Sequence, residues 1–450
     1  MAARRRKLAD QVMSRLARLL VRVFFRQIDV DGASQLPAEG PVVVVANHHN
    51  GLVDGLLLMA ALGRHPRFLG KATLWKILPL RPFLALAGVV PVHRSSDGAG
   101  PGDNGGAFRT CRRILAEGGV VAVFPEGVSH DEPALQPLKT GAARIALEAA
   151  GDGIDGIVCV PVGLVYDARA RFRSRALVAV GCPLGLGPWI EPQSRAPREA
   201  VRSLTAELAG ALREVNPDHA SWTEAAELAR LAAIVCRPPG DDDGDGQADL
   251  AEQHRVAQAL HHATAGGDRM GLREALRAYE RELALLGVSD AELATMAGHR
   301  ALRRRRARSA AVVIAVLPAA LVGVVVHAIP YQVIKRVSQL PRNESIKATV
   351  KLLGCFGLFT VAYAGTGAVV GWRRGPWAGL AAFAAAPLTG YAALRSGERL
   401  RAAGGAAAVA RAMREHPGRF ADLVGQRAAL VDVTAAALDA RSRGAVAHAR

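Results

Sequence analysis

The rhythm of apolar and polar residues changes several times along this chain. Residues 8–27 place Val12, Leu16, Leu19, Leu20, Val23 and Phe24 at helical spacing, with Arg15, Arg18 and Arg22 between them. That spacing predicts an amphipathic helix over 1–27. Its basic polar face suits either of two settings, the interfacial plane of a membrane or the surface of a folded domain. From residue 28 the pattern shortens. The runs 41–46, 89–93, 120–124, 157–165 and 176–180 have the length and β-branched content of strands, and 107–117 and 141–149 read as helices between them. Strands alternating with helices predict an α/β domain over 28–197, a mixed, mostly parallel sheet flanked by helices. In such sheets, motifs at strand ends meet along one edge, where ligands bind.

Residues 198–308 are rich in Ala, Leu, Glu and Arg and predict a helical region, broken by an acidic loop at 237–250. Within and just beyond it, Asp241, Asp243, Asp245, Gly246 and Glu252 match the spacing of a calcium loop. Pro238 and Pro239 interrupt the helix that would enter such a loop, and Ala248 stands where a larger apolar residue is usual. A solvated acidic loop is therefore expected. Over 309–395 three apolar runs, 310–329, 352–371 and 376–394, reach membrane-crossing length. Arg303, Arg304, Arg305, Arg306 and Arg308 precede the first, and Arg373 and Arg374 separate the last two. The positive-inside rule then places the long N-terminal part in the cytoplasm. Lys335, Arg336, Arg342, Lys347 and Lys351 follow the first run and would be badly placed outside, so a re-entrant first segment stays open. Residues 396–450 return to a polar helical pattern, a tail with no assigned role.

Composition narrows the partners. The chain has 450 residues and a formal net charge of +17. Such a surplus favours anionic partners. The basic residues are scattered and only 5% of residues are aromatic, so nothing reads as a nucleic-acid module. Membrane lipid fits better beside the long apolar runs. The cysteines, Cys111, Cys159, Cys182, Cys236 and Cys355, are odd in number and form no C-x-x-C pair. That points to a reducing compartment, without a disulfide framework or zinc site. Arginines inside the first apolar stretch argue against a cleavable signal peptide.

Chemistry concentrates after the run 42–46, at Asn47-His48-His49-Asn50-Gly51-Leu52-Val53-Asp54. A histidine at a strand end with a carboxylate a few residues on can act as a general base with its orienting partner. Either His48 or His49 can reach Asp54 from a turn. Three further motifs follow in order: Gly88-Val89-Val90-Pro91-Val92-His93-Arg94, then Phe124-Pro125-Glu126-Gly127 with Ser129, then Val160-Pro161-Val162.

Together these motifs resemble the glycerolipid acyltransferase family, which includes 1-acyl-glycerol-3-phosphate and glycerol-3-phosphate acyltransferases, over roughly residues 28–190. The commonest family form places four residues between His and Asp, which fits His49. A subset similar to fungal membrane enzymes reads N-H-x-N-x-x-V-D, which fits His48. The resemblance implies that this imidazole takes a proton from an acceptor hydroxyl, which then attacks an acyl thioester, while Asp54 fixes the tautomer. It implies that Arg94 binds the acceptor's phosphate, that Glu126 bonds its hydroxyl or orients basic groups, and that Gly127 and Ser129 lie at the substrate. Val128 stands where the family commonly has Arg, and Lys139, in the matching block Leu138-Lys139-Thr140-Gly141-Ala142, can compensate. The expected function is acyl transfer from acyl-CoA or acyl carrier protein to glycerol-3-phosphate or 1-acylglycerol-3-phosphate in phospholipid biosynthesis, without metal or other cofactor. Two other readings are another lipid hydroxyl acceptor, and a non-catalytic membrane protein that keeps the fold.

Overall fold

The structure is a computed structural model describing residues 2–93, 104–237, 249–264, 269–294, 299–341 and 343–448. It divides into two compact units, one of residues 1–222 with 341–352, the other of 223–340 with 353–450. The calcium-like loop residues Asp241, Asp243, Asp245 and Gly246 lie outside the described residues.

The first unit is built on a sheet of β1 (Gln27–Asp31), β2 (Val42–Ala46), β3 (Pro66–Lys71), β4 (Val90–Val92), β5 (Val120–Val123), β6 (Val158–Tyr166), β7 (Arg175–Val180) and β8 (Leu184–Gly185). Its order is β1-β7-β6-β2-β5-β3-β4, with β8 paired to β6. All pairings are parallel except those of β6 with β7 and β8. The predicted mixed, mostly parallel α/β sheet is therefore present. The valine run of β2 is central and buried on both faces, as parallel strands under helices require. Val42, Val44 and Ala46 enter one core cluster with α1 (Ala2–Phe24) and α2 (Leu52–Ala61). Val43 and Val45 enter the opposite cluster, with α4 (Gly105–Ala116), α5 (Gly141–Gly151) and α7 (Pro197–Val215). This is the period-2 alternation of a strand read directly in burial.

Three readings of the sequence change. The helix α1 buries Met13, Ala17, Val21 and Phe24 and leaves Val12, Leu19 and Val23 exposed. The helix packs mainly on α2, and its buried stripe is rotated from the expected one. Strands β1 and β3 were not expected, because Gln-Ile-Asp-Val-Asp and Pro-Arg-Phe-Leu-Gly-Lys mix polar residues into the run. The first unit also does not stop at residue 197. Leu204, Leu208 and Leu212 of α7 are buried under the sheet, so the chain to residue 222 belongs to it.

The second unit joins α9 (Leu250–Ala263), α10 (Arg269–Leu286), α14 (Pro376–Glu415) and α15 (Pro417–His448) around Leu231, Leu276, Tyr279, Val409, Leu423 and Leu430. Residue 396 is no boundary, since α14 runs through it and the supposed tail packs into this core. Three stretches, Ala310–Val337, Lys347–Arg374 and Pro376–Glu415, are long and apolar enough to cross a membrane. They lie on α12 (His299–Val337), α13 (Glu344–Arg374) and α14. Between the last two, Trp372 and Trp377 are 85% and 82% exposed beside Arg373 and Arg374, an arrangement suited to a headgroup layer. His327 of α12 bonds Tyr363 of α13 at 2.9 Å and lies against Gly390 of α14, the polar and small-residue contacts typical of packed membrane helices.

If α7 is integral to the first unit, Leu208→Ala should cost about 2–5 kcal/mol. Chemical unfolding of the full chain, followed by a probe in the sheet, measures this. A loss too small to detect would return the boundary to residue 197.

Candidate active site

The site lies past the carboxyl end of β2. Asn47 is buried and anchors the turn, its amide donating to Leu164 O at 3.1 Å and its oxygen accepting from Leu164 N at 2.7 Å. Both bonds reach β6, so the turn is held by the neighbouring strand. Gly51 follows with φ +54° and ψ −126°, a backbone that glycine adopts without strain. It turns the chain into α2 and brings Asp54 back to the strand end.

Asp54 is fully buried on its first turn. Its Oδ2 accepts from Asn50 N at 2.7 Å and lies 2.9 Å from His48 Nδ1. Its Oδ1 accepts from the Tyr166 hydroxyl. An imidazole that donates through Nδ1 to a carboxylate keeps its lone pair on Nε2. The His48 ring stacks on Phe124, centroids 4.1 Å apart, and its side chain is 14% exposed. Its Nδ1 edge is thus held by the carboxylate and one face by the Phe124 ring, while the Nε2 edge is left for a proton. Burial, then the Asp54 charge, push the Tyr166 hydroxyl well above its ordinary range, so it remains a donor.

His49 does not share this geometry. It is buried edge-on to His130 at 4.9 Å and Trp222 at 5.7 Å. Its Nδ1 has no hydrogen-bond partner among the described residues. Burial pushes its pKa below 6.5, against the pull of Asp54 and Glu126. Of the two histidines, His48 is the one paired with Asp54.

Glu126 is also buried, with both oxygens engaged. Oε1 accepts from His48 N at 2.8 Å, and Oε2 accepts from Gln136 N at 3.0 Å and bonds His130 Nε2. Burial alone would raise this carboxyl, but the bonds from His130, Gln136 and His48 outweigh it and hold it low. Its position ties the Phe124-Pro125-Glu126-Gly127 turn to the backbone of His48. Gly127 has φ +77°, and a Cβ there would lie 2.5 Å from Lys139 Nζ. The lysine chain therefore crosses the glycine, with its backbone N bonded to Pro125 O at 2.8 Å. Ser129 is half-buried in the same turn, and Val128 is 43% exposed. Val160 and Val162 are sheet core. Arg94 lies outside the described residues; its neighbour His93 is exposed, its backbone exchanging bonds of 2.8 and 2.7 Å with the Asn104 side chain.

The structure adds residues that the motifs did not mark. Tyr166 ends β6 four residues after the V-P-V block and one residue past the expected strand. His130 follows Ser129 directly. Arg169 lies over Trp222, 4.1 Å from the ring centroid, and 3.4 Å from Asp131, while its carbonyl accepts from the Asn50 side chain at 3.0 Å. Only their adjacency to marked residues could have flagged the first two, and nothing local flags Trp222.

Residues 27–165 match the family model described as Acyltransferase. Over 122 residues the chain is 39% identical to glycerol-3-phosphate O-acyltransferase 2 of Saccharomyces cerevisiae, covering 26% of this chain and 16% of that protein. Over 149 residues it is 30% identical to 1-acyl-sn-glycerol-3-phosphate acyltransferase alpha of Ovis aries, covering 33% of this chain and 50% of that one. The chain thus spans half or less of the length of these relatives. A crystal structure of the 1-acyl-sn-glycerophosphate acyltransferase of Thermotoga maritima aligns with a TM-score of 0.35 and 18% identity, over 47% of this chain and 81% of that one. The segment carrying the dyad and the Phe-Pro-Glu-Gly turn is an acyltransferase-family domain, as its motifs indicated.

His49 makes stability depend on pH. Its folded pKa is depressed below 6.5, so below that pH the unfolded chain binds more protons and stability falls. Between pH 7.5 and 5.5 the unfolding midpoint should therefore drop. His49→Gln should flatten that slope, as read by chemical unfolding at each pH.

Proposed function

We propose that this chain is a membrane-associated O-acyltransferase. It moves a fatty acyl group from acyl-CoA or acyl carrier protein to a hydroxyl of glycerol-3-phosphate or 1-acylglycerol-3-phosphate, a step of phospholipid synthesis. The observation that carries this reading is the 2.9 Å contact of His48 Nδ1 with buried Asp54 beside the Phe124 turn. In the reaction, His48 Nε2 takes the proton of the acceptor hydroxyl as its oxygen attacks the thioester carbonyl. The carbon–oxygen bond forms, a tetrahedral intermediate collapses, and the carbon–sulfur bond breaks. The imidazolium returns its proton to the departing thiolate. Asp54 stabilises the imidazolium and fixes its tautomer. No metal or cofactor is required, since the thioester is already activated.

Lys139 over Gly127, together with Arg94, is assigned to the acceptor's phosphate, where cations compete best with water. Gly127 makes room for the Lys139 chain to cross the turn, and Ser129 contributes a hydroxyl. The names of the yeast and sheep relatives support a glycerol-phosphate acceptor. The proposed site faces the cytoplasm, on the arginine pattern around the apolar segments. The start of α13, folded into the catalytic unit, then stays on that face, which accommodates Lys347 and Lys351.

His48→Ala should lower kcat about 1000-fold with an acyl-CoA donor and a glycerol-phosphate acceptor, and Asp54→Asn by a similar factor. His49→Ala should cost less than about 10-fold, since its ring does not meet Asp54. Full activity in folded His48→Ala protein would end the reading. For sidedness, Asn343→Cys in a cysteine-free background should react with an impermeant maleimide only from the cytoplasmic side.

A further inference from the structure

Asp54 is the third residue of α2, and α2 begins without a cap of its own. Gly51 occupies the N-cap position and has no side chain to offer. A helix normally satisfies its first-turn N–H groups with an N-cap oxygen. Here the Leu52 N–H donates to Thr349 Oγ1 at 3.2 Å. That oxygen comes from a turn of α13 far along the chain, well beyond the residues that match the acyltransferase model.

The turn is fixed from several sides. Ala348 is fully buried and Leu352 nearly so, both in the core cluster that holds Val53 and Leu56 of α2. Lys351 Nζ donates to Ala170 O, in the β6–β7 loop. The adjacent carbonyl, Arg169 O, accepts from Asn50 of the catalytic turn. Residues 347–352 thus hold both the helix bearing Asp54 and the loop buttressing its turn. Past Leu352 the helix still has roughly 20 residues, enough to cross a bilayer.

We propose that Thr349 is a positioning residue for the catalytic dyad. By accepting from the Leu52 amide it holds the first turn of α2, and with it Asp54, against His48 Nδ1. The active site is complete only when the opening turns of an apolar, membrane-length helix are docked on the catalytic unit. This inference rests on the acyl-transfer reading for its kinetic consequences, but not for its structural ones.

The test uses the full-length protein in detergent or bilayer with Thr349→Val, which keeps the shape and removes the acceptor, and Thr349→Ser, which keeps the hydroxyl. Thr349→Val should lower kcat about 10-fold, as a small misplacement of a catalytic group does, with KM for both substrates within about 2-fold. Thr349→Ser should restore kcat. Hydrogen exchange at the amides of residues 51–55 should be faster in Thr349→Val than in wild type and normal in Thr349→Ser. The inference is overturned if Thr349→Val keeps wild-type kcat and exchange. It is also overturned if the valine and serine variants are equally impaired, which would make the position one of packing alone. Wild-type protein with no transferase activity would instead count against the acyl-transfer reading, and the exchange data would still decide whether Thr349 caps α2.

Discussion

Everything at this site depends on keeping one carboxylate charged where water does not reach. Taking Asp54 out of water costs several kcal/mol, and only a full set of donors offsets that. The fold supplies three, from the His48 ring, the Asn50 amide and the Tyr166 hydroxyl. Each comes from a different constraint: the end of β2, the turn into α2, and the end of β6. Bonds to a charged acceptor are worth about 1.5–3 kcal/mol each, so losing any one leaves the charge poorly compensated. The sheet order places β6 beside β2, and that neighbour relation makes the Tyr166 bond possible.

Glu126 repeats the arrangement one strand further on. It too is buried, and it too is held charged by donors, among them the backbone of His48. His48 therefore has a carboxylate on its ring and another on its main chain. The first sets which nitrogen carries the lone pair. The second fixes where the ring begins. A histidine placed this way loses little freedom on meeting substrate, the usual advantage of a preorganised site.

Much of this was legible in the sequence, for reasons tied to particular residues. The valine run of β2 and the short apolar runs of β5, β6 and β7 announced buried strands, because two-sided burial leaves no polar positions. The motif order announced the edge where they meet. The choice between His48 and His49 was not legible. Both lie in the turn that leads to Asp54, and the decision rests on the Gly51 backbone and on Phe124, which follows a different strand. The burial of α1 was legible as helix but not as register, since Leu19 and Val23 are as apolar as Val21 yet face outward. β1 escaped notice because an edge strand needs only one apolar face and here carries two aspartates. Trp222, which meets His49 and lies under Arg169, has no local signal, because only folding brings it there.

The boundary of the first unit shows the same limit from another side. A motif match ends where residues stop resembling relatives, whereas a folded unit ends where burial and backbone satisfaction are complete. Here those two limits differ. With Gly51 at its N-cap, α2 lacks an acceptor for its first amide. A glycine is nonetheless needed, because a side chain at φ +54° would be strained in the turn that delivers Asp54. The conformation that makes the dyad thus removes the helix's local cap. An acceptor must then come from elsewhere in the chain, and Thr349, seated between buried Ala348 and Leu352, meets that demand.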